Sequence, residues 1–342
     1  MDLQSFKTSL KNGQLGGVFI LGGEEDYLVK YYLGQIRQAV APEEAFAVFN
    51  NPVFDGDDID FARIAEAIKS PPMMADTKLI EWRHADFTRL KEDGLSSLEE
   101  ICEICREYSY ATVVFTADEN GLDFGIPKRP SAFVKRFDKQ LNILQFEKSS
   151  ENQLYAWLKK HFDAHGIIVD LETVKALVFR TGRSMTPLAA EVEKLSALAH
   201  ARGRDRVTPT DVEEVCASTP ECDTFALSNA ILDRSRQKAY FALEDMKSRR
   251  VDPTIIMGMV ARTFDDLCAV SHLLDEGLGF ADIGEVLKMN EYKLKIYSSA
   301  AKRYGHERLT QILRDLAKTD ADSKYGGISG YTAIELFISK NL

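Results

Sequence analysis

The fold is decided by Val18-Phe-Ile-Leu-Gly-Gly-Glu-Glu-Asp-Tyr-Leu28, an apolar run followed by two glycines and three acidic residues. The apolar half predicts a buried strand, and Gly22-Gly23 predicts the turn that a nucleotide-binding loop makes before its helix. A Walker A loop also needs a lysine for the phosphates and a hydroxyl for Mg²⁺, whereas three carboxylates would repel a triphosphate. The stretch therefore predicts a nucleotide-binding scaffold without its chemistry. We expect no cofactor and a binding or mechanical role.

Composition limits the class of protein. A chain of 342 residues is longer than one core normally organises, so we expect two or three domains. The net charge of −10 argues against a protein that coats nucleic acid unaided. The apolar runs are too short to cross a membrane, and the odd number of cysteines with no signal peptide predicts a cytoplasmic protein without a membrane partner.

The cysteines and histidines predict no metal site. Cys102-Glu-Ile-Cys105 lies in a helical pattern, and no second pair follows at zinc-finger spacing, so two cysteines on one helix face are expected. His161 and His165 are four residues apart on a helix but lack the glutamate of a zinc-protease helix.

Residues 1–147 alternate between strand and helix patterns, which predicts an α/β wound parallel sheet. The predicted strands are Val18–Leu21, Ala45–Asn50, Thr77–Trp82, Ala111–Thr116 and Leu141–Phe146, and the predicted helices between them are Asp26–Val40, Asp57–Ser70 and Ser96–Glu107. After Phe146 the strand pattern ends. Residues 148–218 predict a small helical module, and residues 219–342 predict an all-α bundle.

Asp118–Lys139 is predicted to be a long connection that carries four basic candidates for contact with template phosphates, namely Lys128, Arg129, Lys135 and Arg136. A run of charges is also typical of a solvated face. Because the whole chain is acidic, we expect it to bind DNA poorly by itself.

Four segments carry a resemblance to a known family: Phe19–Leu28, Ile64–Ala75, Lys78–Trp82 and Gly182–Leu195. In their order and spacing they resemble the delta subunits of the bacterial DNA polymerase III clamp loader, over nearly the whole chain. The resemblance implies an AAA+-like sheet domain without a Walker A loop at residues 1–147. It also implies a helical lid at residues 148–218 and a helical collar for oligomerisation at residues 219–342.

The resemblance also implies a function. Members of this family bind no ATP and catalyse nothing themselves, although the holoenzyme to which they belong is a DNA-directed DNA polymerase, a nucleotidyltransferase. They bind and open the beta sliding clamp so that it can be loaded onto primed DNA during chromosome replication. The implied partners are the beta clamp, the gamma/tau and delta-prime subunits in a hetero-pentamer, and primer-template DNA within the complex.

In that family a two-residue hydrophobic plug at the tip of a helix enters a pocket on the clamp. The matching positions here are Met73 and Met74, preceded by Pro72. The family often has a leucine-phenylalanine type of pair there, so the two methionines are a departure. From the residues alone, burial of the pair under the next strand is favoured over exposure. With the resemblance we expect an exposed pair, which the rigid Pro-Pro lead-in would hold outward at low entropic cost.

Two alternatives remain open from the sequence. The first is a delta-prime type of loader subunit, although the Ser-Arg-Cys element usual in that family is absent. The second is a divergent ATPase, for which Asp118-Glu119 would be the acidic pair after the strand that contains Val113–Phe115.

Overall fold

The structure, a computed structural model, describes residues 3–13, 15–42, 46–126, 128–325 and 327–341, without the side chain of Glu221. The chain divides into two compact units, residues 1–153 and residues 154–342. The three predicted domain ranges, with a lid at 148–218 separate from a collar at 219–342, stay a prediction.

The first unit is built on a parallel sheet. Its strands are β1 (Gly17–Gly22), β2 (Val53–Asp55), β3 (Lys78–Arg83), β4 (Ala111–Ala117) and β7 (Leu141–Gln145), and β5 (Gly125–Ile126) pairs with β6 (Arg129–Pro130) in a separate antiparallel hairpin. The order across the sheet is β2-β3-β4-β1-β7, with every neighbouring pair parallel. The predicted wound parallel sheet is confirmed.

Helices cover both faces of this sheet. They are α1 (Leu3–Lys11), α2 (Asp26–Val40), α3 (Ala47–Asn50), α4 (Phe61–Lys69), α5 (Glu92–Glu107) and α6 (Ala132–Phe137). In β1, Val18 and Ile20 pack with α4 and α5, whereas Phe19 and Leu21 pack with α1 and α2. Because both faces of β1 are buried, its sequence is continuously apolar rather than alternating.

One predicted strand is wrong. The part of Ala45–Asn50 that the structure describes contains the single-turn helix α3, and Ala45 lies outside the described residues. The strand of this region is instead β2, beyond Pro52. The reason is visible in the contacts of two asparagines. Asn51 closes the turn by donating its backbone N–H to Ala47 O at 2.7 Å, and the Asn50 side chain is committed to another loop.

In the second unit the helices within the described residues are α7 (Glu151–Ala164, which begins just before the unit), α8 (Leu171–Thr181), α9 (Met185–Ala201), α10 (Pro209–Val215), α11 (Pro220–Leu232), α12 (Arg236–Ser248), α13 (Pro253–Asp275), α14 (Phe280–Leu287), α15 (Glu291–Tyr304), α16 (His306–Tyr325) and α17 (Gly330–Asn341). The helices from α11 onward share one apolar core. None of the described helices combines the length and the apolar composition needed to cross a lipid bilayer.

The cysteine prediction is confirmed. Cys102 and Cys105 lie on α5, and both are buried in the core between that helix and the sheet. Burial raises the pKa of the Cys102 thiol to about 12 and that of the Cys105 thiol to about 11, so both remain protonated and unreactive at neutral pH. In the described ranges, no group of three or more His, Cys, Asp or Glu residues is arranged to hold a metal ion.

Candidate functional site

The two methionines lie in the loop between α4 and β3, at the amino-terminal edge of the sheet. The helix α4 begins where the Asp60 carboxylate accepts the Arg63 N–H at 3.1 Å. Ile64 and Ile68 are buried and fix its position against the sheet. The helix ends at Lys69, because the two prolines that follow cannot continue the hydrogen-bond ladder.

Asn50 fixes the conformation of the loop. Its Nδ2 donates to Met73 O at 2.8 Å, and its Oδ1 accepts the Met73 N–H at 2.7 Å. The Asn50 side chain thus pairs with both backbone groups of one residue, as a neighbouring strand would. Asn50 is 2% exposed, so these bonds are shielded from competing water.

Three further hydrogen bonds fix the base of the loop. Lys78 Nζ donates to Ser70 O at 3.0 Å, the Tyr110 hydroxyl donates to Ile68 O at 2.9 Å, and the Thr77 hydroxyl donates to Val40 O at 2.6 Å. Lys78 is buried, and this burial lowers the pKa of its ammonium group. The loop between α4 and β3 is therefore fixed by contacts with four parts of the chain: α2, α3, β3 and the residue before β4.

Met73 and Met74 project from this fixed base into solvent. Met73 is 44% exposed and Met74 is 79% exposed, so the pair is not folded under β3. Met74 has a φ of 53°, a left-handed conformation that costs a side-chain-bearing residue about 1–2 kcal/mol. Such strain persists only where the surroundings enforce it, and it concentrates at binding sites and active sites. The loop thus presents two apolar side chains in a fixed arrangement.

An ion pair with a buried carboxylate holds β3, the strand that follows the methionine loop. Glu81 on β3 is fully buried and receives a bidentate hydrogen bond from Arg37 on α2, with both N–O distances 2.8 Å. Arg83 adds a contact at 2.9 Å. Burial raises the pKa of Glu81, but the hydrogen bonds from the two arginines outweigh burial, so its pKa lies below the usual range. This pairing fixes α2 against β3.

The loop after β1 is covered by the chain that follows β7. Phe146 N–H donates to Gly22 O at 2.8 Å, and Glu25 N–H donates to Phe146 O at 3.0 Å. A Cβ at Gly23, where φ is 125°, would lie 2.5 Å from Phe146 O. The chain after β7 therefore packs directly on the glycine turn. Glu25 is buried beneath it.

Asp118, part of the acidic pair considered for a divergent ATPase, follows β4. Its carboxylate lies 2.9 Å from His84 Nδ1, and both side chains are largely exposed. The structure thus places Asp118 in a surface pair with a histidine.

The basic candidates fall into two groups. Arg136 on α6 is paired with Glu99 at 2.8 Å and with Glu92 at 2.7 Å, which joins α6 to α5. These hydrogen bonds raise the pKa of Arg136. Lys128, Arg129 and Lys135 are exposed and make no ion pair within the described residues. The three free cations are therefore better candidates for phosphate contact than Arg136.

Sequence reasoning missed Asn50, because the strand predicted over Ala45–Asn50 hid it. A signal was present, since Asn50-Asn51-Pro52 is typical of a turn rather than of a strand interior.

Comparisons with known proteins point to one family. A family model described as DNA polymerase III, delta subunit, matches residues 19–147, and one described as DNA polymerase III delta subunit, C-terminal domain, matches residues 221–341. The chain is 24% identical over 338 residues to DNA polymerase III subunit delta of Bacillus subtilis, which covers 96% of this chain and 94% of that protein. It is also 24% identical over 313 residues to the probable DNA polymerase III subunit delta of Aquifex aeolicus, with 90% and 86% covered.

Among solved structures, the Bacillus subtilis DNA clamp loader delta protein (YqeN) is similar in fold, with a TM-score of 0.56 at 21% identity and with 99% and 98% of the two chains covered. The predicted fold, with a wound parallel sheet followed by helices, is confirmed. Since the two family models together match more than half of the chain, this chain belongs to the family of DNA polymerase III delta subunits, which are components of the clamp loader in DNA replication.

Proposed function

We propose that this chain binds the beta sliding clamp through Met73 and Met74 and holds one clamp interface open for loading onto primed DNA. The observation that carries this proposal is the exposure of both methionines, 44% and 79%, on a loop fixed by the buried Asn50. An apolar pair at the surface of a rigid loop is a preorganised anchor, since little side-chain or backbone freedom remains to be lost on binding.

The mechanism requires no bond to be broken. A ligand shifts an equilibrium only by its difference in affinity for the two states, and a shift from 1:99 to 99:1 needs about 5.5 kcal/mol. Full burial of one large apolar side chain contributes about 1.5–3 kcal/mol. Met73 and Met74 are already partly buried, at 44% and 79% exposed, so burying the rest of both supplies about 2–4 kcal/mol. The two methionines therefore supply part of the free energy needed to stabilise an open interface, provided that their pocket is better formed in the open clamp, and further contacts must supply the rest.

We extend the proposal to the partners. The chain would act without catalysis of its own, in the cytoplasm, within a hetero-pentamer of gamma/tau and delta-prime subunits that supply ATP hydrolysis. The packing of the chain after β7 on the glycine turn, together with the buried Glu25, supports a role without bound nucleotide. Family models for the delta subunit match both ends of the chain, which favours this role over a delta-prime type of subunit.

The exposed cations Lys128, Arg129 and Lys135 would meet primer-template DNA inside the assembled complex. Their segment begins at the carboxyl end of β4, whereas Met73 and Met74 precede the amino end of the parallel strand β3. The same segment leads into β7, which is separated from β3 by β4 and β1 in the sheet, so the clamp anchor and the cations lie apart and could act together.

The test is calorimetric titration of the purified clamp with the full chain and with its double variant Met73→Asp, Met74→Asp. Charged groups cannot enter an apolar pocket without a large desolvation cost, so we expect affinity to fall by a factor of about 100 or more. The control is Phe241→Asp, which changes another exposed apolar residue, 77% exposed, and should leave affinity unchanged.

Both variants should keep the circular dichroism spectrum and the unfolding temperature of the parent chain, because the replaced side chains lie at the surface. Unchanged clamp affinity of the double methionine variant would contradict the proposal. Unfolding of that variant would show that the methionines support the fold instead.

A further inference from the structure

A second pair of exposed apolar residues lies beside the methionine loop. Val48 and Phe49, on the single-turn helix α3, are 85% and 54% exposed. Among the described residues of the first unit, eight large apolar side chains are exposed. Five of these precede or begin the two strands at one side of the sheet: Val48, Phe49, Val53, Met73 and Met74. Clustering of this kind is unusual for a surface without a partner.

Asn50 connects the two pairs physically. It follows Phe49 in the chain, and its side chain holds both backbone groups of Met73 at 2.7 and 2.8 Å. The two segments also lead into the neighbouring parallel strands β2 and β3, so they lie at the same edge of the sheet. The apolar residues of α3 and of the methionine loop therefore belong to one rigid surface.

The stability of the fold does not explain why the apolar side chains of α3 are exposed. A helix of one turn has little stability of its own, and Val48 and Phe49 bury little against the sheet. The residue of this turn that supports the structure is Asn50, which is buried. The turn Ala47–Asn50 carries no charged side chain, so covering it would desolvate no charge.

We infer that Val48 and Phe49 form a second apolar contact to the sliding clamp, adjoining Met73 and Met74. This inference rests on the proposed function. Stable interfaces bury about 800 Å² on each partner, far more than two methionines offer, so the rim of the pocket that receives them must contact further residues. The side chain of Asn50 contacts the Met73 backbone, and the Cα of Phe49 lies only about 3.8 Å from that of Asn50, so a partner that surrounds Met73 lies close to Phe49.

The test is a titration of the purified sliding clamp with the full chain carrying Val48→Ser and Phe49→Ser. We expect a dissociation constant about ten times that of the parent chain, since part of the apolar contact is lost and no charge is introduced. The matched control is Ile126→Ser in the β5–β6 hairpin, where the side chain is 63% exposed, and it should bind with unchanged affinity.

Unchanged affinity of the Val48, Phe49 variant, with binding still abolished by aspartates at Met73 and Met74, overturns this inference and leaves the proposed function standing. Unchanged affinity of both variants overturns both. A second measurement needs no variant: hydroxyl-radical oxidation of Phe49 in the parent chain should fall several-fold when the clamp is added, while oxidation of Phe241 should not change. Equal oxidation of Phe49 with and without the clamp also overturns the inference.

Discussion

At the scale of single residues, Asn50 fixes the position of the methionines that we propose as the clamp anchor. Its two hydrogen bonds to Met73 hold the loop in the left-handed turn that exposes Met74. Without them, the Met73 N–H and C=O would lose their partners, and the loop would gain alternative conformations. Asn50 is therefore a positioning residue that acts through Met73.

We predict that Asn50→Ala raises the dissociation constant for the clamp about thirtyfold, because the two lost hydrogen bonds together contribute about 2 kcal/mol to fixing the loop. The matched control is Asn51→Ala, since Asn51 Nδ2 donates to Leu79 O at 3.3 Å rather than to the methionine loop. Calorimetric titration should show affinity within about twofold of the parent for this control.

A double-mutant cycle distinguishes the positioning role of Asn50 from a purely structural role. When Met73 and Met74 are both replaced by serine, which leaves residual binding, Asn50→Ala should weaken binding much less than in the parent chain. An equal loss in both backgrounds would contradict the positioning role.

At this scale the family resemblance predicted that the methionine pair is exposed, whereas the residues alone favoured burial. The two prolines and the apolar pair can be read from the chain, but exposure of the pair and its support cannot. The hydrogen bonds between Asn50 and Met73 join residues 23 positions apart in the chain. They depend on how the segments before β2 and β3 pack together, and no local sequence pattern encodes that packing.

At the scale of secondary-structure elements, the apolar runs of the buried strands predicted those strands correctly, whereas the apolar residues of Ala45–Asn50 did not predict a strand correctly. The predicted helix Asp26–Val40 coincides with α2, and the buried strands β1, β3, β4 and β7 lie where their apolar runs predicted. The segment Ala45–Asn50 also contains apolar residues, but they are exposed in α3 rather than buried in a strand. Hydrophobicity alone could not distinguish the exposed apolar residues of α3 from apolar residues of the core.

The free energy of unfolding depends on pH through Asp211, in the first turn of α10. Asp211 accepts the Thr208 N–H at 2.9 Å and the Arg204 guanidinium at 2.7 Å, and these contacts lower its pKa to about 2. Because the folded pKa lies below the unfolded value of about 3.9, the carboxylate stabilises the fold above pH 4. This contribution is lost as the pH falls from about 4 towards 2.

We predict that Asp211→Asn lowers the free energy of unfolding at pH 7 by about 2 kcal/mol, and by roughly 1 kcal/mol less at pH 3, where the parent carboxylate is partly protonated. Urea unfolding of the full chain at both pH values, followed by circular dichroism, measures the difference. A difference that is the same at both pH values would contradict this role for Asp211.

At the scale of the whole molecule, the sheet has the order β2-β3-β4-β1-β7, and the turn after β1 is covered by the chain that follows β7. The acidic residues after Gly23 predicted a turn unsuited to a triphosphate, but no sequence pattern predicted that the chain after β7 would pack on it. The chain length predicted two or three domains, and the structure divides the chain into two compact units. The boundary between a lid and a collar stays a prediction, because packing between helices is not encoded in their individual patterns. The exposed apolar surface at the amino ends of β2 and β3 is the feature on which the proposed function rests.

The central claim is that this chain binds the sliding clamp and opens it without consuming nucleotide. The most direct measurement places a donor and an acceptor fluorophore on either side of one clamp interface and adds the full chain without ATP. We predict that energy transfer falls on addition of the parent chain and stays unchanged with Met73→Asp, Met74→Asp. Saturated binding of the parent chain with no change in energy transfer would contradict the account.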